Sequence, residues 1–177
     1  MLKDYNKYKI LKIFLFNPND SFRLREISKI TEISPKSVMN YLKYFEDEKI
    51  IKRYEKRDIP FYKAINDTDK LREFTRIAIL YELGESGVIN YLWDKLAPEA
   101  IVLYGGFSRG EISEESDIDL FAYGVDITKH QIELDKFEKI IGKRIHLMGE
   151  KSLKGVSEEF KNNLSNGIIL KGYLKII

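Results

Sequence analysis

The sequence contains no cysteine among its 177 residues. Disulfide bonds and cysteine-ligated zinc or iron–sulfur centres are therefore excluded, and this composition is compatible with a cytoplasmic location. No apolar run approaches the roughly 20 residues that a membrane-spanning helix needs. The apolar stretch ILKIFLF is interrupted by Lys12 and has no small-residue cleavage site, so we expect no signal peptide. The sequence thus predicts a cytoplasmic protein that does not interact with membranes.

The charged residues are distributed unevenly along the chain. The overall content, 44% hydrophobic and 33% charged, is typical of a folded globular protein. Residues 1–65 contain 15 Lys and Arg against 9 Asp and Glu, whereas residues 66–177 contain 15 against 19. The length allows one small and one medium domain. A basic part joined to an acidic part indicates two modules with different partners.

Three stretches in the basic part carry apolar residues at helical spacing. The third begins at Ser34, a good N-cap, followed by Pro35 at the first helical position, where its missing N–H has no cost. Its predicted buried stripe contains Val38, Leu42 and Phe45. The opposite side carries side chains that can contact a phosphate or a base edge. These are Lys36, Ser37, Asn40 and Lys43.

The segment IIKRYEKRDIPFYKAI predicts two short strands around the turn EKRD. Three helices followed by a basic β-hairpin resemble a winged helix-turn-helix domain. The resemblance implies double-stranded DNA as the partner, with the third helix in the major groove and the hairpin against the backbone. The same elements would also suit a module for dimerisation or protein contact, and the sequence leaves this alternative open. The basic residues of the hairpin are Lys52, Arg53, Lys56 and Arg57.

A helical connector is predicted between the two modules. Thr68 or Asp69 can cap a first helix, which LGESG interrupts, and VINYLWDKL forms a second helix before Pro98. The first helix could equally form the seam of a dimer. We expect Trp93 to be a core residue.

The acidic part alternates strands and helices. AIVLYGG, SDIDLFAYG and KRIHLMG predict strands, and KHQIELDKFEKIIG and VSEEFKNNLSNGIIL predict helices. This alternation favours a small α/β unit.

Two aspartates occupy one side of the second predicted strand. Asp117 and Asp119 are two residues apart, so their side chains point the same way with their backbones about 7 Å apart. If both were buried without compensation, at least one would take up a proton. A divalent cation removes this conflict, and oxygen ligands favour Mg²⁺ or Mn²⁺. The Gly105–Gly106 turn before them exposes backbone N–H groups that suit a phosphate.

The segment GGFSRGEISEESDIDL resembles the signature of the DNA polymerase beta-type nucleotidyltransferase superfamily. That signature is a glycine-serine turn, a loop and an Asp-x-Asp pair; here ten residues separate Gly106 from Asp117. The segment is most similar to the minimal prokaryotic members, whose turn continues as Arg109, Gly110 and Glu111 do here. The resemblance implies metal ions held by the two aspartates and in-line attack of a hydroxyl on the α-phosphorus of a nucleoside triphosphate, NTP.

The resemblance also assigns roles around the turn. It implies that Gly105 and Gly106 approach the phosphates and that Arg109 adds a positive charge, although Arg109 could instead form a surface ion pair. Gly106 replaces the usual serine, and Ser108 could supply the missing hydroxyl.

One departure concerns the third carboxylate of the family, which normally lies on the later strand. His146 is at that position, with no acid between Arg144 and Gly149. Imidazole can bind Mn²⁺ or Zn²⁺ but suits Mg²⁺ poorly. His146 could also be a surface histidine without a ligand role, and Asp117 and Asp119 could be satisfied by backbone amides or lysines in an inactive descendant. Whether two aspartates suffice for turnover is left open.

The sequence therefore predicts a mixed α+β protein with a winged helix of three helices and a β-hairpin at 1–66. A helical connector is predicted at 67–97, and a small nucleotidyltransferase domain with a mixed sheet at 98–177. The predicted activity is metal-dependent transfer of a nucleoside monophosphate from an NTP to a hydroxyl acceptor. The alternative is a catalytically degenerate domain in a DNA-binding regulator or antitoxin-like protein, with a toxin-like protein partner. A homodimer would suit a palindromic DNA site.

Overall fold

The structure is a computed structural model that describes residues 5–113 and 115–175. It divides into two compact units. The N-terminal unit is built mainly from residues before Ile79, and the C-terminal unit mainly from residues 79–177. Within the described ranges, no helix is long and apolar enough to cross a lipid bilayer.

The N-terminal unit combines three helices with a small antiparallel sheet. Ser34 caps the third helix because its hydroxyl accepts the backbone N–H of Ser37 at 3.3 Å, and Pro35 follows at the first helical position, as predicted. The sheet has the order β1-β3-β2. The elements are α1 (Asn6–Phe16), β1 (Ser21–Phe22), α2 (Leu24–Thr31), α3 (Pro35–Asp47), β2 (Ile51–Lys56) and β3 (Ile59–Ala64).

The core of this unit lies between the three helices. Large apolar side chains from each helix are fully buried there, among them Phe14, Ile27 and Phe45. Three helices followed by a hairpin were predicted and are present, whereas strand β1 was not predicted. Assignment of these elements to the winged helix-turn-helix class stays a prediction.

The hairpin turn is tighter than the predicted turn EKRD. Strand β2 continues to Lys56, and only Arg57 and Asp58 connect it to β3. Both connecting residues have positive φ angles, +53° and +57°. A two-residue loop with this backbone matches the right-handed twist of the two strands.

Two helices, α4 (Asp69–Ser86) and α5 (Val88–Leu96), follow the hairpin. The predicted interruption at LGESG is present: α4 continues through Gly84 to Ser86, and the break falls at Gly87, the last residue of that segment, whose φ is +79°. A glycine inside a helix keeps the backbone hydrogen bonds and costs only about 1 kcal/mol relative to alanine. Trp93 of α5 is partly exposed, with the Lys171 Nζ atom 5.0 Å from its ring centroid.

The C-terminal unit contains a four-stranded mixed sheet with the order β6-β5-β4-β7. Strands β5 and β6 are parallel, and the other two pairs are antiparallel, so the predicted mixed sheet is confirmed. The strands are β4 (Ala100–Tyr104), β5 (Ile118–Tyr123), β6 (Ile145–Glu150) and β7 (Ile168–Gly172). The helices that follow β4, β5 and β6 are α6 (Gly105–Arg109), α7 (Asp135–Ile141) and α8 (Glu158–Ser165), with a 3₁₀ turn at Ile127–Lys129.

Strand β4 lies in the middle of this unit, and all five of its residues are buried. Helix α8 covers one face of the sheet, where the Phe160 ring contacts the rings of Phe121 and Tyr104 with centroids 5.4 and 5.3 Å apart. Burial of β4 and β5 on both sides fixes their register, and with it the positions of the residues at their ends.

Two sequence-based boundaries in this unit are wrong. The last predicted helix ends at Ser165, and the apolar residues after it form β7, which pairs with β4. The helix predicted from Lys129 begins only at Asp135. Short apolar runs fit helix and strand equally well, so pairing with β4 rather than periodicity decides the state of residues 168–172.

Candidate functional site

The predicted site residues meet at one edge of the four-stranded sheet. Because β4 is antiparallel to β5 and β6 is parallel to it, the end of β4 lies beside the starts of β5 and β6. The register pairs Asp119 with Tyr104 on one side and with His146 on the other. We call this edge the site edge; it contains Gly105, Gly106, Asp117, Asp119 and His146.

The two aspartates differ in environment. Asp117 lies one residue before β5 and is exposed. Asp119 lies inside β5, and its side chain is only 27% exposed. Its neighbours Ile118 and Leu120 are fully buried on the other face of the strand, so packing holds the Asp119 carboxylate at the site edge.

Gly105 is the residue that makes room for Asp119. Its φ angle is +71°, and a Cβ atom built on it would collide with Oδ2 of Asp119. Both the backbone conformation and the close approach therefore favour glycine at this position. The carboxylate consequently lies directly against the glycine turn. The carbonyl of Gly106 accepts the backbone N–H of Glu111 at 2.9 Å, which closes the short helix α6.

Ser108 and Arg109 occupy the end of α6. The Ser108 side chain is buried, and its hydroxyl donates to the carbonyl of Gly105 at 2.8 Å. In this arrangement the hydroxyl stabilises the turn rather than facing solvent, and the phosphate contact assigned to it stays a prediction. Arg109 is exposed, with its Nε atom 3.0 Å from Oε2 of Glu111, which is the surface ion pair that the sequence left open.

His146 is the nearest polar partner of Asp119. Its Nδ1 atom lies 3.3 Å from Oδ1 of Asp119, and its side chain is 58% exposed. Glu150, the nearest acid along the chain, is at the opposite end of β6. Among residues 5–113 and 115–175, no group of three His, Asp or Glu side chains is arranged to hold a metal ion.

The electrostatics of the site edge oppose ionisation of Asp119. Burial raises the pKa of Asp119, and the negative charge of Asp117 adds to this rise. The hydrogen bond and charge of His146 and the charge of Arg109 lower the pKa of Asp119, but the net shift is upward. Asp119 therefore lacks full compensation for its charge in the absence of a ligand.

Tyr104 belongs to the same environment and was not predicted from the sequence. Its hydroxyl lies 3.2 Å from the sulfur of Met148. Burial, with a smaller contribution from the charge of Asp119, raises the pKa of Tyr104 to about 12. Its position directly before the glycine turn was the available sequence signal.

The two carboxylates suit a hard divalent cation. Magnesium in proteins is commonly held by one or two carboxylates, and water and substrate phosphates complete its coordination. Asp117 and Asp119 could form such a pair, and a cation held between them would offset the burial cost of Asp119. His146 could add a nitrogen donor, which favours Mn²⁺ over Mg²⁺.

The residues predicted to contact DNA lie on two elements of the N-terminal unit. On α3, Lys36, Asn40 and Lys43 are exposed opposite the buried stripe, whereas Ser37 is partly buried and bound to Ser34. Strand alternation and register separate the basic residues of the hairpin. Lys52 and Lys56 lie on one face, Arg53 pairs with Glu55 at 2.8 Å on the other, and Arg57 lies in the turn.

Comparison with known families identifies the C-terminal part of the chain. Residues 86–173 match the family model described as "Nucleotidyltransferase domain". The match includes the whole four-stranded sheet and the site edge, and it begins inside the segment predicted as a connector. No curated protein matches the chain. This match supports the predicted nucleotidyltransferase domain and nucleotidyl transfer in general.

Replacement of Gly105 by alanine should destabilise the C-terminal unit. Gly142→Ala is the matched control, since Gly142 also has a positive φ, +84°, but no atom lies within 4 Å of a Cβ built there. Both variants incur the backbone cost of roughly 1–2 kcal/mol, and Gly105→Ala should lose about 1–3 kcal/mol more from the collision with Asp119. Urea unfolding measures both. Equal losses would show that the carboxylate moves aside freely.

Asp119→Asn should stabilise the folded protein at neutral pH. Because the pKa of Asp119 is raised above its ordinary value of 3.8, the ionised carboxylate disfavours folding at pH 7. The gain in unfolding free energy should shrink as the pH falls through the raised pKa and vanish below 3.8. Unfolding free energies of both proteins, measured across this pH range, test the prediction.

Asp126→Asn is a control that should change the free energy of unfolding at neutral pH in the opposite direction. The hydrogen bond from Thr128 holds the pKa of Asp126 below 3.8, so its stabilising contribution is present above that pH and is lost as the pH falls through the lowered pKa. A pH-independent effect of Asp119→Asn would contradict the electrostatic account.

Proposed function

We propose that the nucleotidyltransferase domain transfers a nucleoside monophosphate from an NTP to a hydroxyl acceptor, with Asp117 and Asp119 as ligands of Mg²⁺ or Mn²⁺. The observation that carries this proposal is the contact of the Asp119 carboxylate with the backbone of Gly105. It supports a site in which Asp119 and the glycine turn contact the same triphosphate. The raised pKa of Asp119 supports the proposal, because an undercompensated carboxylate is what a bound cation would neutralise.

Each residue has a separate role in this proposal. The backbone N–H groups at Gly105 and Gly106 would donate to phosphate oxygens, and Arg109 would add a positive charge near them. Asp117 and Asp119 would orient the α-phosphate through the cation they hold. When bound, the cation supplies neutralisation of the charge that develops on the phosphate oxygens. The buried strands β4 and β5 keep these groups in fixed positions, as in-line displacement requires.

A regulator without catalytic activity is a second candidate function. It is favoured by His146, which lies beside Asp119 where the resemblance implies a third carboxylate, and by the lack of a three-ligand cluster among the described residues. In that case the domain would bind a nucleotide or a protein partner without turning over.

Label transfer from α-³²P-labelled nucleotides with Mg²⁺ or Mn²⁺ tests the transferase proposal. Asp117→Asn and Asp119→Asn should each reduce transfer by at least about 100-fold, since each removes charge stabilisation of the reacting phosphate. Asp94→Asn changes an exposed acid of α5 outside the site and should have no effect. His146→Asp should increase transfer, more with Mg²⁺ than with Mn²⁺, because it supplies a third oxygen ligand.

Binding of Mn²⁺, followed by electron paramagnetic resonance, gives a readout that does not depend on turnover. Asp119→Asn should weaken Mn²⁺ binding, and His146→Asp should strengthen Mn²⁺ binding. If no combination of nucleotide, metal and acceptor labels above the Asp119→Asn background, even with His146→Asp, the non-catalytic function is favoured.

We also propose that the N-terminal unit binds double-stranded DNA through α3 and the hairpin. The exposed row of Lys36, Asn40 and Lys43, together with the excess of basic residues before residue 66, supports this proposal. Lysines can neutralise phosphates, and an asparagine on a helix can bind an adenine edge in the major groove.

The DNA proposal predicts a steep loss of affinity as the salt concentration rises. Lys36→Ala and Lys52→Ala should weaken binding to all duplexes and reduce the salt slope by about one each, whereas Asn40→Ala should relax sequence preference. Lys9→Ala, an exposed residue of α1, serves as the control. Fluorescence anisotropy at several salt concentrations measures these effects. Absent or salt-independent binding would leave the protein-contact alternative.

A further inference from the structure

The outer face of the sheet in the N-terminal unit carries aromatic and basic side chains together. Ile51, Tyr62 and Ala64 are buried on the inner face, so strand alternation turns Tyr54 and Phe61 outward. We call this outer surface the aromatic face. The residues of β2 and β3 that belong to it are Lys52, Tyr54, Lys56, Ile59, Phe61 and Lys63.

Two stacked rings lie at the centre of the aromatic face. Tyr54 and Phe61 are directly paired across β2 and β3, and their ring centroids are 5.8 Å apart with 22° between the planes. The Tyr54 hydroxyl donates to the hydroxyl of Ser21 in β1 at 2.9 Å. The Arg23 guanidinium lies 5.0 Å from the centroid of the Phe61 ring. These contacts hold both rings in place, and Tyr54 nevertheless stays 39% exposed, so it is preorganised for a flat ligand.

The charge on the aromatic face has one sign. Lys52 and Lys63 lie directly opposite each other across β2 and β3, an arrangement in which like charges destabilise a sheet. In β1, β2 and β3, all of whose residues the structure describes, the single acid is Glu55, and it lies on the other face. The acids that flank these strands are Asp20, before β1, and Asp58, in the hairpin turn. An anionic ligand would therefore offset the repulsion between the two lysines.

We propose that the aromatic face binds a single-stranded nucleic-acid segment, with one unpaired base stacked on Tyr54. Lys52 and Lys56 lie two residues before and after Tyr54, about 7 Å along the strand in each direction, so they can contact the phosphates that flank the stacked base. Aromatic stacking combined with a positively charged surface is how proteins commonly bind single strands without reading their sequence. The inference rests neither on nucleotidyl transfer nor on duplex binding by α3.

The exposed ring distinguishes this ligand from two other polyanions. In a DNA duplex, neighbouring bases cover both faces of each base, so a duplex offers phosphates to the lysines but no base to Tyr54. An acidic peptide offers carboxylates without a flat ring. A single strand offers both phosphates and open base faces, and therefore uses the lysines and the ring together. Unpaired bases occur in DNA and in RNA, so the test contains one probe of each.

Fluorescence anisotropy of labelled oligothymidylate and oligouridylate, titrated with the full chain, tests the proposal. Tyr54→Ala should weaken binding about 10- to 100-fold through loss of stacking, whereas Tyr54→Phe keeps a ring and should bind as the unsubstituted protein does. Tyr54→Leu keeps an apolar side chain on the sheet and should lose as much affinity as Tyr54→Ala, which separates stacking from folding. Tyr173→Ala, which changes a 69%-exposed tyrosine of the C-terminal unit, is the control and should have no effect.

Two further measurements locate the single strand on this face. Lys63→Ala should reduce the slope of log affinity against log salt concentration by about 0.7, the value for one phosphate contact on a single strand. Oligothymidylate that contains 5-iodouracil, irradiated with the full chain, should cross-link within residues 52–63, as mapped by mass spectrometry.

Several results would overturn the proposal. Equal affinity of Tyr54→Ala and Tyr173→Ala for both probes would remove the ring as a stacking site. An equal loss of duplex and single-strand binding in Tyr54→Ala would assign the aromatic face to duplex contacts. Binding of labelled polyglutamate that depends on Lys63 but not on Tyr54, with no binding of either oligonucleotide, would assign the face to an acidic peptide. Binding of one oligonucleotide alone would support the proposal and identify the strand as DNA or RNA.

Discussion

The backbone of Gly105 and the carboxylate of Asp119 face each other across the antiparallel pair of β4 and β5, with no room for a side chain on the glycine. This contact depends on the register of two strands whose apolar residues are buried. A shift of one residue would turn Asp119 into the core and expose Leu120, so the hydrophobic core enforces the geometry of the site. The polar groups at the site edge are therefore held by apolar packing behind them.

This arrangement destabilises the ionised carboxylate of Asp119. Burial raises its pKa, Asp117 adds like charge, and His146 offers only partial compensation. A chain selected for stability alone would not keep two carboxylates here. Uncompensated charge of this kind is expected at functional sites, where a bound ligand can neutralise a group that the folded chain leaves without a partner.

Local patterns predicted much of the structure. The Ser34–Pro35 start of α3 depends on residues close together in sequence and was found in its expected position. The contact between the glycine turn and Asp119 joins two segments that the sequence already singled out. Predictions failed where distant residues decide the outcome. Residues 168–172 form a strand because β4 offers them an edge.

The site itself was only partly predictable for the same reason. The sequence identified His146 as a departure from the family pattern, but its 3.3 Å contact with Asp119 depends on the parallel pairing of β5 and β6. Likewise, the basic residues of the hairpin form one cluster in the sequence, whereas strand alternation separates Arg53 from Lys52 and Lys56. The burial of the Ser108 hydroxyl also required the three-dimensional course of the glycine turn.

The central position of β4 has a consequence for synthesis of the protein. One of its two neighbours, β5, follows it closely in sequence, but the other, β7, lies near the C-terminal end of the chain. On the ribosome, β4 therefore emerges long before β7 and presents an unpaired apolar edge in the meantime. Until β7 is translated, this unpaired edge exposes the nascent chain to aggregation, and a chain truncated before Gly167 would keep the edge unpaired.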